Sequence, residues 1–409
     1  MVEVRPVVCL VMVLSMDVLG AAAGVFKPPP AMYVLGDSTL DVGNNNYLPG
    51  ANVPRANRRY YGVDFPGGVP TGRFSNGYNT ADFIAKCIGF VSSPPPYLSL
   101  VAPASSGGLL VPTALTIGVS YASGGAGILD STNAGGNIPL SQQVRLFEST
   151  KAAMESKVGP RAVSQLLSKS FFLIGVGSND FFAFATALAK QNKTAATQSD
   201  LAAFYGSLIS NYSSAITELY KLGARKFGII NVGTVGCVPI VRVLNATGGC
   251  ADGLNQLAAG FDGFLNSLLA GLAPKLPGLA YSIADSFGFA ARTDPLSLGF
   301  VSQDSACCGG GRLGAEADCL PGAKLCADRD RFLFWDRVHL PSALPCSAPR
   351  PTMMARRSSP LPSTLSSWLT RAKLADFSKP ATLSILLTVI SNYGYMLRWF
   401  FFVVFVSHI

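Results

Sequence analysis

Five short apolar runs, each bounded by Gly, Ser, Asn or Asp, constrain this chain more than any other feature. They lie at residues 32–35, 115–121, 171–176, 227–232 and 279–283. Longer stretches with helical periodicity separate them, among them 80–88, 201–222 and 254–272. A strand solvated on one face alternates apolar with polar residues, whereas one apolar throughout is covered on both faces. Such strands alternating with helices predict an α/β fold, a central five-stranded parallel sheet in a three-layer α/β/α arrangement. In that architecture ligands bind at the loops leaving the carboxyl ends of the strands. Here those loops read Gly36-Asp37-Ser38, Ser123-Gly124-Gly125 and Gly177-Ser178-Asn179-Asp180. No repeat of 20–50 residues points to a solenoid instead.

Charge narrows the partners. Charged residues are 13% of the 409, about half the usual share, which excludes a disordered polyelectrolyte. The net charge of +9 is concentrated in residues 341–409, where seven Lys and Arg face one acid, Asp376. Removing that +6 leaves +3 for the body, with no basic stripe interleaved with aromatics. Nucleic acid is therefore not an expected partner.

Residues 1–23 read as a secretory signal peptide. Arg5 supplies the positive end, an apolar stretch broken by Asp17 follows, and Ala21-Ala22-Ala23 offers a small-residue cleavage site. Three Asn-x-Ser/Thr sequons, at Asn192, Asn211 and Asn245, fit a secreted, extracellular glycoprotein. Without Cys9 of the signal, eight cysteines remain: Cys87, Cys237, Cys250, Cys307, Cys308, Cys319, Cys326 and Cys346. An even set in an oxidising compartment favours disulfides. The group Cys307, Cys308, Cys319 and Cys326 lacks any C-x-x-C pair and includes two adjacent cysteines, a poor zinc chelate.

The sequence contains only two histidines, His339 and His408. A serine hydroxyl needs a base within hydrogen-bond reach to become a nucleophile, and imidazole is the usual one. His339 follows Asp336 by three residues, a spacing that brings carboxylate and imidazole together on one helical turn or in a tight loop. His408, at the free end of the chain, is a poor rival. A tetrahedral intermediate also needs donors for its oxyanion, and the small residues around Gly124 and the amide of Asn179 can supply them. Phosphate-binding alternatives fail: there is no Gly-Lys-Ser/Thr and no G-x-G-x-x-G on a strand-to-helix turn. The Gly-x-Ser-x-Gly elbow of ordinary α/β-hydrolases is also missing. No metal or cofactor is implied.

The ordered blocks resemble the plant GDSL esterase/lipases, a branch of the SGNH hydrolases. The first runs from Gly36-Asp37-Ser38-Thr39-Leu40-Asp41 through Asn44-Asn45-Asn46, and the second is Pro70-Thr71-Gly72-Arg73-Phe74-Ser75-Asn76-Gly77 with the residues just before it. Tyr121-Ala122-Ser123-Gly124-Gly125-Ala126-Gly127, Gly177-Ser178-Asn179-Asp180 and Asp336-Arg337-Val338-His339 complete the set, over roughly residues 31–339. The resemblance implies that Ser38 is the nucleophile and that Asp336 and His339 are its relay. It implies an oxyanion hole from the Ser38 and Gly124 N–H groups with the Asn179 side chain. It pairs Cys237 with Cys250, and Cys307 and Cys308 with Cys319 and Cys326 in an order left open. Asp37 is then structural, and the three asparagines order the loop behind Ser38 through bonds to backbone.

The expected domain is residues 28–339. After His339 the pattern departs from the family: Leu340 stands where the family has proline, and residues 341–379 are rich in Ser, Pro and Arg. Residues 340–409 therefore read as an aberrant tail with the look of a gene-model artefact. Its apolar end, 383–406, is interrupted by Ser391, Asn392 and Arg398, too short a run for the ~20 apolar residues of a membrane span. Three functions follow from this reading: hydrolysis of small-molecule or lipid carboxylic esters, acyl transfer to an alcohol, or a silent glycosylated binding protein. Nothing in the sequence bears on oligomeric state.

Overall fold

The computed structural model describes residues 27–102, 108–193 and 195–342. The expected signal peptide, the tail beyond Ser342, Cys346 and His408 lie outside the described residues.

Five parallel strands form the central sheet: β1 (Met32–Gly36), β2 (Gly118–Ser120), β3 (Phe171–Gly175), β4 (Lys226–Ile230) and β5 (Ala280–Ala284). Their order is β2-β1-β3-β4-β5. Register runs Met32 to Phe171 and Gly36 to Gly175 across the central pair, so β1 and β3 end level. Each apolar run of the sequence thus becomes one strand. The second is shorter than its run, because the amide of Ile117 donates to Thr113 and continues the helix Leu110–Thr116 into it.

Alternate residues of these strands enter different cores, which is why the runs are unbroken. Tyr33, Leu35, Phe172, Ile174, Phe227 and Ile229 face the larger core. The helices Leu140–Val158, Pro160–Lys169, Gln198–Lys221 and Asp252–Leu272 bury Phe147, Leu167, Leu208, Tyr212, Phe261 and Leu265 there. Met32, Val34, Phe171 and Leu173 face the other way, onto Ala81, Ala85 and Ile88 at the helix Thr80–Cys87. That helix starts with a capping box between Asn79 and Asp82, an arrangement worth about 1 kcal/mol. Over β4 and β5 this second face is thinly covered: Ile230 and Ser282 are half-buried and Ala280 is exposed.

A satellite core sits beside the sheet's carboxyl edge. It is made by Ala56, Tyr61, Phe74, Cys307, Cys308, Cys319 and Trp335. Four short strands build its frame: β6 (Ser302–Ala306), β7 (Cys308–Gly309), β8 (Lys324–Leu325) and β9 (Phe332–Phe334), with β6 beside β9 and β7 beside β8. Disulfides Cys307–Cys326 and Cys308–Cys319 staple this frame, and Cys237–Cys250 closes a separate loop. All four clustered sulfurs are consumed, so none is left for zinc. Cys87 is half-buried at the end of its helix. No helix among the described residues is long and apolar enough to cross a membrane.

Candidate active site

The carboxyl ends of β2, β1 and β3 deliver three loops to one place. β1 ends at Gly36, whose N–H donates to Gln143 Oε1 at 2.7 Å while its carbonyl accepts from Gln143 Nε2 at 2.8 Å. Only glycine fits, since a Cβ there would lie 2.4 Å from the Gly175 carbonyl oxygen. The chain then turns, with the amides of Leu40 and Asp41 both returning to the Asp37 carbonyl. Ser38 stands on that turn. The buried Asp37 carboxylate holds it by accepting from the amide and hydroxyl of Thr39 at 2.9 and 2.8 Å, a structural task.

The imidazole arrives from the far end of the described chain. β9 leads into Trp335 and Asp336, and the segment to His339 is a tight loop rather than a helical turn. Asp336 Oδ1 accepts the amides of Val338 and His339 at 2.9 and 2.8 Å, while the Trp335 amide donates to the His339 carbonyl at 2.7 Å. The loop therefore closes on its own carboxylate. Both Asp336 oxygens lie 2.9 Å from His339 Nδ1, and His339 Nε2 lies 2.7 Å from Ser38 Oγ. A carboxylate at Nδ1 keeps the imidazole proton on that nitrogen and leaves Nε2 to accept from the serine hydroxyl.

Electrostatics match this geometry. Burial pushes the Asp336 carboxyl up, but the His339 charge and the hydrogen bonds from His339 and Val338 outweigh it and hold it below the usual range. Burial pushes His339 down, but the charge and hydrogen bond of Asp336, with the charge of Asp37, carry it above the ordinary imidazole value. An imidazolium formed during proton transfer is thereby stabilised. Burial raises Asp37 itself.

On the glycine-rich loop, the N–H of the expected donor Gly124 is hydrogen-bonded within the protein. The Gly124 N–H donates to Asp41 Oδ2 at 2.9 Å, so it is already spent. The Gly124 carbonyl accepts from Asn45 Nδ2 at 2.8 Å. That carbonyl shares a trans peptide with the Gly125 N–H, which must point the opposite way. Of these two glycines Gly125, at φ +85°, lines the cavity, and its N–H meets no acceptor among the described residues. Gly125 therefore replaces Gly124 as the free donor of this loop. Asn179, second residue of the helix Ser178–Lys190, gives one amide hydrogen to the Ala126 carbonyl at 2.9 Å and lines the same cavity.

That cavity holds about 630 Å³ and is bordered by Ser38, His339, Gly125, Asn179, Asn52, Asn133, Pro54, Phe74, Phe182 and Val338 among others. None of its lining residues is Asp, Glu, Lys or Arg. The Ser38 hydroxyl, the His339 imidazole and the Gly125 and Asn179 donors thus share one hollow without acidic or basic lining residues.

Comparison with known proteins identifies the family. The family model for the GDSL-like lipase/acylhydrolases matches residues 32–343. The chain belongs to that family. A GDSL esterase/lipase of Arabidopsis thaliana is 39% identical over 335 residues, covering 79% of this chain and 85% of the relative. A second, from the same plant, is 35% identical over 316 residues, covering 75% and 83%. A third is 35% identical over 344 residues, covering 81% and 88%. The GDSL protein described here is thus an esterase/lipase by family and a hydrolase of ester bonds.

Two supports of its site carry no periodic or motif signal of their own. Gln143 reaches β1 from a helix more than a hundred residues away. Tyr61, buried in the satellite core, donates its hydroxyl to Asp336 Oδ2 at 2.7 Å. The asparagines behind Ser38 do bond to backbone: Asn44 to the Ser120 and Ala122 carbonyls, Asn45 to Pro54 and Gly124, Asn46 to Thr71. The sequon residues Asn192, Asn211 and Asn245 are all exposed.

Proposed function

We propose that this chain is a secreted serine esterase that cleaves neutral carboxylic esters through an acyl-enzyme. The observation that carries this is the continuous line from Ser38 Oγ through both nitrogens of His339 to Asp336, at 2.7 and 2.9 Å. His339 takes the Ser38 proton as Oγ attacks the ester carbonyl, and the carbonyl oxygen gains negative charge beside the N–H groups of Ser38 and Gly125 and the amide of Asn179. Collapse of that intermediate expels the alcohol, which leaves with the proton from His339. Water then repeats the sequence on the acyl-serine and restores the enzyme. An uncharged lining suits acyl groups without carboxylate or phosphate. Three disulfides and three exposed sequons support export to an oxidising compartment.

A fluorophosphonate probe on the purified, folded protein tests the reading. Modification should map to Ser38 and vanish in Ser38→Ala, and turnover of a short p-nitrophenyl ester should vanish with it. Labelling of a different serine, or full turnover by Ser38→Ala, removes Ser38 from the chemistry.

A further inference from the structure

We propose that Tyr61 is a positioning residue of the relay, acting on His339 through Asp336; this rests on the serine-esterase reading above. The Asp336 carboxylate accepts four hydrogen bonds. Three come from its own loop: the amides of Val338 and His339 and the imidazole Nδ1. The fourth, from Tyr61 at 2.7 Å, is the only one in that list supplied by another part of the chain. Without it no hydrogen bond from outside the loop would reach the carboxylate, since the loop's other outside ties, such as the Ile240 amide to the Arg337 carbonyl at 3.0 Å, hold its backbone.

Packing makes Tyr61 a rigid donor. It is 4% exposed, and its ring meets those of Phe74 and Trp335 edge-on at 6.2 and 6.4 Å. The Phe74 ring in turn lies 4.9 Å from the imidazole of His339. One aromatic cluster therefore contacts both halves of the Asp-His pair. The charged and titratable groups around the imidazole are Asp336 on its own loop and Asp37 on the β1 turn. Arg58, whose guanidinium sits 5.5 Å from the Tyr61 ring, is the cation beside the Tyr61 side chain.

The chemistry gives a sign. A phenol donating to Asp336 Oδ2 spreads the carboxylate's charge and weakens its pull on the imidazole proton. Removing that donor leaves a buried, less solvated carboxylate that is relieved when His339 is protonated. Tyr61→Phe should therefore raise the pKa of His339, whereas a stronger donor of the same shape should lower it. Loss of orientation should also lower kcat without touching KM, since Tyr61 does not line the cavity.

Two measurements on the full-length protein decide this. Imidazole NMR follows His339 directly, because His408 is the only other histidine and His408→Gln assigns the signals. In Tyr61→Phe we expect a His339 titration, and with it the acid limb of kcat/KM, about one pH unit higher, the displacement produced by a tenfold change in imidazolium stability. Turnover of a p-nitrophenyl ester should fall about ten-fold in kcat with KM unchanged. Site-specific 3-fluorotyrosine at position 61 should move the titration downward, and it tests the link even if Tyr61→Phe fails to fold. In an Asp336→Asn background Tyr61→Phe should cost little more, since both changes break one path. An unmoved His339 titration in the folded variants, or a Tyr61→Phe penalty retained in full beside Asp336→Asn, overturns the proposal. Failure of Ser38 labelling would refute the esterase reading separately, because the imidazole titration needs no catalysis.

Discussion

Asp41 and Gly124 are joined by a 2.9 Å hydrogen bond from the glycine amide to the buried carboxylate, and Asn45 holds the carbonyl of the same glycine at 2.8 Å. Both polar groups of Gly124 are thus fixed by the segment that follows Ser38. The direction of the Gly125 N–H is set by the first block of the sequence rather than by the glycine-rich loop alone.

Asn45→Ala releases one side of that clamp. Its side chain also accepts from the Ser123 hydroxyl, so the loop loses two ties. kcat should fall, by less than the ~10²–10³ that loss of a whole oxyanion donor costs, while KM changes little. Steady-state kinetics on a short ester check this. An unchanged kcat would mean that the Gly125 amide needs no such support.

The acid limb of activity should lie above the ordinary imidazole range. Catalysis needs neutral His339, and Asp336 and Asp37 together hold its pKa above the usual 6.5. Activity is then lost as pH falls through that raised value, because the protonated imidazole cannot accept from Ser38. A kcat/KM profile whose acid limb falls below 6.5 would contradict the assignment.

Asp336→Asn keeps the shape of the relay but offers an amide to the imidazole, so the wrong tautomer is favoured. In a comparable triad such a change costs ~10⁴ in turnover, and a loss of that order is expected here. Asn179→Ala should be milder, at ~10²–10³. Single-turnover acylation rates with p-nitrophenyl acetate measure both, and the two losses should rank in this order.

The satellite core is expected to matter more to activity than its size suggests. The amide of Cys308 donates to the Trp335 carbonyl at 2.7 Å, one residue before Asp336. Replacing Cys308 and Cys319 by alanine should cost ~2–4 kcal/mol of stability and should also lower kcat. Removing Cys237–Cys250 should affect unfolding with less effect on kcat. Denaturant unfolding and ester turnover on the two double variants separate these outcomes.

Asp262 predicts a pH dependence of stability. Its Oδ1 accepts from the Val232 amide at 3.1 Å, but Oδ2 is buried with no partner among the described residues. Burial, opposed by that amide and aided by Asp285, pushes its pKa from 3.8 to about 8. Between those values the folded chain keeps a proton that the unfolded chain has released. This group's contribution therefore makes stability decline as pH rises, by about 1 kcal/mol per unit across the window, and no further above it. Asp262→Asn should flatten the decline, as denaturant unfolding at pH 5 and pH 8 would register. An equal slope in both proteins would show that Asp262 does not hold its proton in the fold.

The sheet was legible because burial on both faces leaves unbroken apolar runs, and a run such as 171–176 has few other uses. Asp336 and His339 stood out for a different reason, since two histidines leave little choice of base, whereas Ser38 came only from the family resemblance; the structure brings the three within hydrogen-bond reach. Within Gly124-Gly125, by contrast, nothing in the letters tells which amide is free, because the answer depends on Asp41 and Asn45 folding over from another loop. Tyr61 was hidden in the same way. Its role depends on a partner 275 residues away and on a ring cluster that local pattern does not encode. The pairing of Cys307 with Cys326 and of Cys308 with Cys319 needed the geometry of the short strands between them.

On the serine-esterase reading, the nucleophile Ser38 and its base His339 are separated by 301 residues, nearly the whole length of the described chain. At ~5–20 residues per second, a ribosome needs about 15–60 s to travel from one to the other. Throughout that interval Ser38 is an ordinary alcohol on an early-made turn, with no imidazole to deprotonate it. An ester met by the nascent chain is therefore safe, and the growing polypeptide cannot trap itself as an acyl adduct. The order of the letters acts as a timer that delays reactivity until His339 has been made.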